Sequence, residues 1–284
     1  MENFIQQLIN GLVIGHAYAL IAIGWTILLG VARLVNFGHG ELYMLGAFTT
    51  WWAISAYDIP YGLAILISMV IGGLIGFLMQ LIMLRLTFRK DLIAIMIVTL
   101  GFGKVISGVA SLLFGANGEI LQTPLSSVDL YWNDLWFTYQ DIAIVITALL
   151  MYGLTWLIIQ YTRIGRMARM VAEDPPLAAL YGINARLAYF LIFAFEGVAV
   201  TLAAAMVAPR SPILTSMGFD ETIITFIVVI IGGIGNVLGN YIAALLLGIF
   251  IAFFSTYISA AFATAAAFVV LIVLLIAQPN RLQA

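Results

Sequence analysis

Several side chains of this chain carry a charge or a titratable ring inside otherwise apolar sequence, among them His39, Glu41, Lys104 and Glu196. Lys104 and Glu196 each lie about midway along an apolar run. A charge at the centre of a bilayer costs about 2.5–3.5 kcal/mol on insertion scales, so such groups pair or line water. Three readings follow. The two opposite charges compensate each other, or the side chains snorkel to an interface, or they meet a solute, Lys104 at an anionic group and Glu196 at an amine. His39, close to Glu41, suits a proton relay; the plainer alternative is a hydrogen bond to the glycine-rich backbone around it. His16 is the other histidine. Neither stands in His-Glu-x-x-His, and two isolated histidines do not make a zinc site. Thr99, Ser107 and Ser111 are single hydroxyls without a nucleophile constellation. Gly101-Phe102-Gly103-Lys104 has the wrong spacing for a phosphate loop, so ATP hydrolysis is not expected here. With no paired catalytic carboxylates and no metal motif, the expected role is not enzymatic and requires no cofactor in the chain; an intramembrane enzyme is the remote reading.

The elements that must position these residues are apolar. The chain has 284 residues, 64% hydrophobic and 8% charged, where soluble domains carry about 25% charged residues. That balance implies an all-α polytopic integral membrane protein, with residues 1–284 as one transmembrane domain. A net charge of −2 argues against nucleic acid as a partner. The absence of cysteine excludes disulfides and thiolate metal sites. The first apolar segment is too long for a cleaved signal peptide and lacks a basic start, so it is expected to be a retained span.

A span takes about 20 apolar residues. Apolar segments run over Phe4–Val31, Glu41–Ala56, Tyr61–Leu84, Leu92–Phe114, Asp141–Gln160, Leu187–Ala208, Glu221–Ile231, Val237–Tyr257 and Ser259–Ala277. The second and seventh fall short of a full span, so eight or nine transmembrane helices are expected. Gly11-x-x-x-Gly15 in the first allows close helix packing. Arg85, Arg89 and Lys90 follow the third segment, Arg163, Arg166, Arg169 and Arg186 follow the fifth, and Arg281 lies in the tail. The 115–140 loop holds Glu119, Asp129 and Asp134 and no Lys or Arg. Positive charge marks the cytoplasmic side. The 161–186 loop and the tail are therefore expected inside, and the 115–140 loop, with Trp132 and Trp136, outside. With nine crossings the N-terminus is outside.

Two regions interrupt the apolar pattern in ways that bear on function. In the 161–186 loop, Arg163, Arg166 and Arg169 recur every third residue and form a cationic stripe on a helix. Asp174 is a good N-cap, Pro175 a good first helical residue and Gly182 a natural stop. The result is a short helix of about two turns, suited to docking another protein; the alternative is an ordinary capped loop. The second kind of interruption occurs at both short segments. One follows Asn36-Phe37-Gly38-His39-Gly40-Glu41, and the other leads into Gly232-Gly233-Ile234-Gly235-Asn236. Clustered glycines permit broken helices, which at membrane depth are tolerated where they line a cavity or lie buried in protein. Such segments in both halves of a transporter point to its pathway; the alternative is a pair of tight surface turns.

These stretches resemble one family. Tyr18-Ala19-Leu20-Ile21-Ala22-x-Gly24, followed by Asn36-Phe37-Gly38-His39-Gly40-Glu41-x-Tyr43-Met44-x-Gly46-Ala47, is similar to the N-terminal signature of LivH-type permeases of branched-chain amino acid ABC importers. The residue before the histidine is commonly Ala there and is Gly38 here. Arg163-x-Gly165-Arg166, Ala172-Glu173-Asp174-Pro175 and Ala178-x-Leu180-x-Gly182-Ile183-Asn184 resemble that family's cytoplasmic coupling loop. Gly232-Gly233-Ile234-Gly235-Asn236-x-x-Gly239 resembles its C-terminal glycine motif, with Asn236 where Ser is usual. Gln278-Pro279-x-Arg281-Leu282 is similar to its Arg-Pro-x-Gly-Leu ending. The matches lie in order over nearly the whole chain.

The resemblance implies the type II ABC-importer permease architecture, in a bacterial cytoplasmic membrane. It implies a second permease subunit (a distinct one is favoured over another copy of this chain), two ATP-binding subunits that hold ATP and Mg, and an external solute-binding protein. It places the translocation pathway at Asn36, Gly38, His39, Gly40, Glu41, Gly232, Gly233, Gly235 and Asn236. ATPase coupling falls to Arg166, Glu173, Asp174, Pro175, Ala178 and Gly182. Substrates would be branched-chain amino acids, or related small amino acids, amides or acids. The family carries small or apolar residues where Lys104 and Glu196 stand, and two departures of opposite sign suggest a compensating intramembrane pair. The competing reading is a stand-alone proton-coupled secondary transporter using His39, Glu41 and Glu196.

Overall fold

The computed structural model describes residues 2–89, 91–115, 117–132 and 135–277. Lys90, Asp134 and the tail motif with Arg281 lie outside the described residues. Helix α1 covers Glu2–Ile27 and runs on through a π turn, Leu28–Ala32. An irregular link reaches α2 (His39–Tyr57), followed by α3 (Tyr61–Arg89) and α4 (Leu92–Phe114). Strands β1 (Asp129–Trp132) and β2 (Leu135–Thr138) precede α5 (Tyr139–Tyr161), α6 (Arg163–Glu173) and α7 (Pro175–Leu180). The chain closes with α8 (Ala185–Val207), α9 (Met217–Gly232), α10 (Val237–Phe254) and α11 (Ala263–Ala277). Six helical stretches among the described residues are long and apolar enough to cross a membrane: Asn3–Ala32, Tyr61–Thr87, Leu92–Phe114, Tyr139–Tyr161, Ala185–Arg210 and Val237–Ser259.

The bundle has two distinguishable ends. One carries the antiparallel hairpin, with Leu130 opposite Phe137 and Tyr131 opposite Trp136. This hairpin adds a short two-stranded element to the expected helical fold. Its aromatic residues favour a pleated, half-buried surface, a signal hidden inside a loop read as merely polar. Gln6 fastens α1 to it, donating to the Trp136 carbonyl at 2.8 Å and accepting from the Trp136 amide at 2.9 Å. Glu119 bridges to Ile213, and Arg210 pairs with Asp141 at the same end. At the other end lie the π turn, α6 and α7.

α1 and α8 are mostly buried, whereas α4 and α5 leave most of their apolar surface outside the chain. Between lipid-solvated helices there is little hydrophobic drive, so backbones approach through small residues and packing holds them. A Cβ added at Gly11 or Gly15 would stand 2.7 Å from the α10 backbone, and one at Gly248 2.2 Å from the Gly15 nitrogen. α3 and α8 meet likewise, with a Gly72 Cβ falling 2.4 Å from the Gly197 carbonyl. The tightest approach is between α2 and α9, where a Cβ on Gly40 would lie 1.6 Å from the Gly218 carbonyl oxygen. α9 begins at Met217, four residues before the apolar run suggests. Asp220 in its first turn is favoured by the positive end of the helix dipole.

Gly40→Ala is therefore expected to cost more than about 3 kcal/mol of stability, seen as loss of folded protein in mild detergent. Gly62→Ala is expected to leave the melting temperature unchanged, because an added Cβ there meets nothing within 4 Å. Equal stability of the two variants would refute the packing.

Candidate functional site

The irregular link after α1 is drawn into the bundle by one carboxylate. Glu196 lies midway along α8 with no exposure, as do Asn36 and His39. The Asn36 amide nitrogen donates to both Glu196 oxygens, at 3.1 and 3.0 Å. His39 Nδ1 lies 2.9 Å from Glu196 Oε1 and its Nε2 3.0 Å from the Ile21 carbonyl. A carbonyl only accepts, so Nε2 carries a hydrogen. Trp25 stacks edge-on to the imidazole at 5.6 Å. Gly24 gives the glutamate its room, since a Cβ there would stand 3.2 Å from Glu196 Cγ. The Asn36 side-chain oxygen accepts from the Gly38 amide, and Thr99 Oγ1 accepts from the Phe37 amide. A buried charge is tolerated when it is paired and hydrogen-bonded in this way.

This geometry corrects the expected Lys104–Glu196 pair. Lys104 pairs instead with Glu41, Nζ to Oε1 at 3.3 Å, and lies over the Phe219 ring at 5.6 Å from its centroid. Glu196 is out of its reach because the link 33–38 places Asn36 and His39 against that carboxylate, leaving Glu41 one step further along α2 and facing α4. Compensation holds for both charges, with local partners supplied by the 36–41 stretch.

Of the residues read as a pathway, Asn36, Gly38, His39, Gly40 and Glu41 form one cluster. Its other half is the start of α9. The Gly40 amide donates to Thr222 Oγ1 at 2.9 Å, beside the Gly40–Gly218 contact. From that contact α2 runs to the hairpin end, where Tyr61 just beyond it donates to the Ala205 carbonyl. α9 runs the opposite way. Two helix N-termini thus abut inside the bundle.

Gly232, Gly233, Gly235 and Asn236 are not in this cluster. They make the α9–α10 turn, with Gly233 and Gly235 at φ 95° and 76°. Gly235 packs on Gly30 of the π turn, and Asn236 caps α10 by accepting from the Gly239 amide at 3.0 Å. The buried Asn240 amide holds this turn, its nitrogen donating to the Gly233 and Val229 carbonyls at 3.0 and 3.2 Å. Gly218, Phe219 and Thr222 were missed by sequence reading; the available signal was a glycine ahead of Asp220-Glu221 at the start of an apolar run.

The arginine end builds as the sequence predicts. Thr162 caps α6 and Asp174 caps α7, the latter accepting from the Leu177 amide at 3.1 Å. Pro175 opens α7, and Gly182 follows it at φ 77°. Ala178 is buried, whereas Arg166, Glu173, Leu180 and Tyr181 point outward. Asn184 then caps α8. Among the described residues no group of three or more His, Asp or Glu side chains forms a metal site.

Membrane-length helices around a buried polar junction between abutting helix starts are the frame of a membrane transport protein. The chain belongs to the family described as the branched-chain amino acid transport system permease component, which it matches over residues 7–278. It is 29% identical over 251 residues to the high-affinity branched-chain amino acid transport system permease protein BraD of Pseudomonas aeruginosa, covering 84% of this chain and 81% of the relative. Similarity to LivH of Escherichia coli K12 is 29% over 250 residues, 83% and 81% of the two chains. A fructose import permease of Rhizobium meliloti is 24% identical over 255 residues, 84% and 66% of the chains. No solved structure matches the chain. It is a transport subunit, not an enzyme.

Removing one partner of a buried pair costs about 3–5 kcal/mol. Glu196→Ala and His39→Ala are each expected to lose that much, and the double variant much less than the sum. Glu196→Ala and Lys104→Met should add. Unfolding in detergent checks both cycles; additive losses for His39 and Glu196 would contradict the pairing.

Proposed function

We propose that this chain is the membrane-spanning permease subunit of an ATP-driven importer for branched-chain amino acids or related small solutes. The observation that carries this reading is the meeting of α2 and α9 at Gly40 and Gly218, where two helices leave one buried polar junction in opposite directions. Helix N-termini that abut at a break within a transporter bundle mark its solute path. In this reading α2, α9 and α11 join the six long helices to give nine crossings of type II importer architecture, with the N-terminus and hairpin outside. The path runs past Asn36, Gly38, His39, Gly40 and Glu41, and the turn from Gly232 to Asn236 shapes its inner mouth. The membrane is the bacterial cytoplasmic one. Partners are a second, distinct permease subunit, two ATP-binding subunits that bind ATP and Mg, and an external solute-binding protein. Support for these assignments comes from the family match and from the relatives named for branched-chain amino acid transport.

Coupling is assigned to the loop of α6 and α7. Leu180 and Tyr181 are 85% and 71% exposed on a short capped helix outside the long spans, an apolar knob flanked by the charges of Arg166 and Glu173. Exposed apolar groups rimmed by polar ones suit docking to a protein. Asp174, Pro175 and Gly182 fix its shape, and the buried Ala178 seats it. Closure of the ATPase pair would push α7, and the push would pass through Ile183 and Asn184 into α8, which carries Glu196. The proton-coupled alternative has no support in the relatives. Its key residue, His39, spends both ring nitrogens on partners inside the bundle.

Replacing Asp174–Gly182 with a flexible linker is expected to abolish solute-stimulated ATP hydrolysis in the assembled complex while membrane insertion is retained. Normal stimulation in that variant would refute the coupling role.

A further inference from the structure

Lys104 is an anomaly among the charges of the bundle. Its side chain is 59% exposed, whereas that of its partner Glu41 is 5% exposed. The lysine stands midway along α4, a helix whose outer surface is otherwise Ile97, Leu100, Val105, Leu112 and similar residues. Beside it on the same helical face are Gly101 and Gly108, where an added Cβ would meet nothing within 4 Å. An ammonium held half-open at that level faces water or a polar partner, not acyl chains.

The pair is also unevenly satisfied. An ammonium offers three hydrogens, and Glu41 Oε1 takes one at 3.3 Å. Glu41 Oε2 is buried without a donor among the described residues. Phe219, 48% exposed, puts an aromatic face beside the ammonium. Glu41 lies in the first turn of α2 and Phe219 in that of α9, whose N-cap Ser216 makes no side-chain capping bond. The partial positive charge of both helix starts lies beside that of Lys104, and Glu41 and Asp220 in these first turns are its resting complement.

The geometry points to Lys104 as the residue that receives the carboxylate of the travelling solute. Glu41 is its resting counter-ion. The solute carboxylate takes the place of Glu41 Oε1 at the ammonium, and the freed Glu41 carboxylate accepts from the solute's own ammonium. A small zwitterion completes both halves of the exchange; a neutral solute completes neither. Phe219 borders the site and offers a surface to an apolar side chain. This deepens the importer reading and rests on it, naming the group of the solute that the permease itself senses.

The chain contains no cysteine, so a single one reports cleanly. Gly108→Cys, in the assembled importer in membranes, would be treated with an anionic (sulfonatoethyl) and a cationic (trimethylammonioethyl) methanethiosulfonate, both confined to water. The anionic reagent is expected to react faster, and to slow several-fold when Lys104→Met is added. No reaction with either reagent, or an anionic rate untouched by Lys104→Met, would overturn the assignment. In the same complex, uptake of labelled L-leucine by Lys104→Met is expected to fall at least ten-fold with the subunits still assembled, whereas Lys104→Arg keeps most uptake. Wild-type uptake matched by Lys104→Met would also overturn it. A wild-type complex that neither hydrolyses ATP nor takes up leucine would count against the importer reading, and the cysteine rates would still decide the role of Lys104.

Discussion

The rest of the bundle depends on one buried carboxylate. Glu196 has no exposure, and an ionised group taken from water into a dry interior is tolerated only with full compensation. Asn36 and His39 supply it from a stretch that is not helical. Because both must reach the middle of α8, the chain after α1 turns back into the bundle before α2 can begin. The start of α2 is thereby fixed, and with it the contact of Gly40 with Gly218 and the approach of Glu41 to Lys104. A local electrostatic requirement thus sets the position of the polar junction that the functional reading uses.

Glycine makes the remaining geometry possible. At Gly40, Gly218, Gly15 and Gly248 the neighbouring backbone occupies the place a side chain would take. These contacts bring α1 against α10 and α2 against α9. Bonds then register what packing brings together: Thr222 holds the Gly40 amide, and Asn240 holds the α9–α10 turn. The loop of α6 and α7 is built differently, from caps at Thr162, Asp174 and Asn184. It is consequently a shaped surface element that stands apart from the buried junction.

Much of this was legible in the sequence. The apolar segments and the short capped helix α7 follow from local rules, because span length, N-cap type and the glycine stop act over a few residues. Asn36 through Glu41 stood out for the same reason, as polar residues amid apolar ones. What could not be read was partner choice. Glu196 and Asn36 are 160 residues apart, and nothing local says that Glu196 meets His39 while Lys104 meets Glu41. Charge complementarity was correctly sensed, but the pairing was assigned to the wrong two residues. The place of the second glycine cluster was equally hidden. Gly232–Asn236 is a turn packed on Gly30, and the segment that meets α2 is the start of α9. The hairpin was hidden because four-residue strands inside a polar loop carry little periodic signal.

The most direct measurement is the composition of the complex in which the chain resides: purification of the tagged chain from its own membrane in mild detergent, followed by mass spectrometry. A permease subunit of an ATP-driven importer should bring with it soluble chains carrying Gly-x-x-x-x-Gly-Lys-Ser/Thr phosphate loops and a second hydrophobic chain. A stable folded protein that purifies alone, and whose uptake after reconstitution follows a pH gradient without ATP, would contradict this.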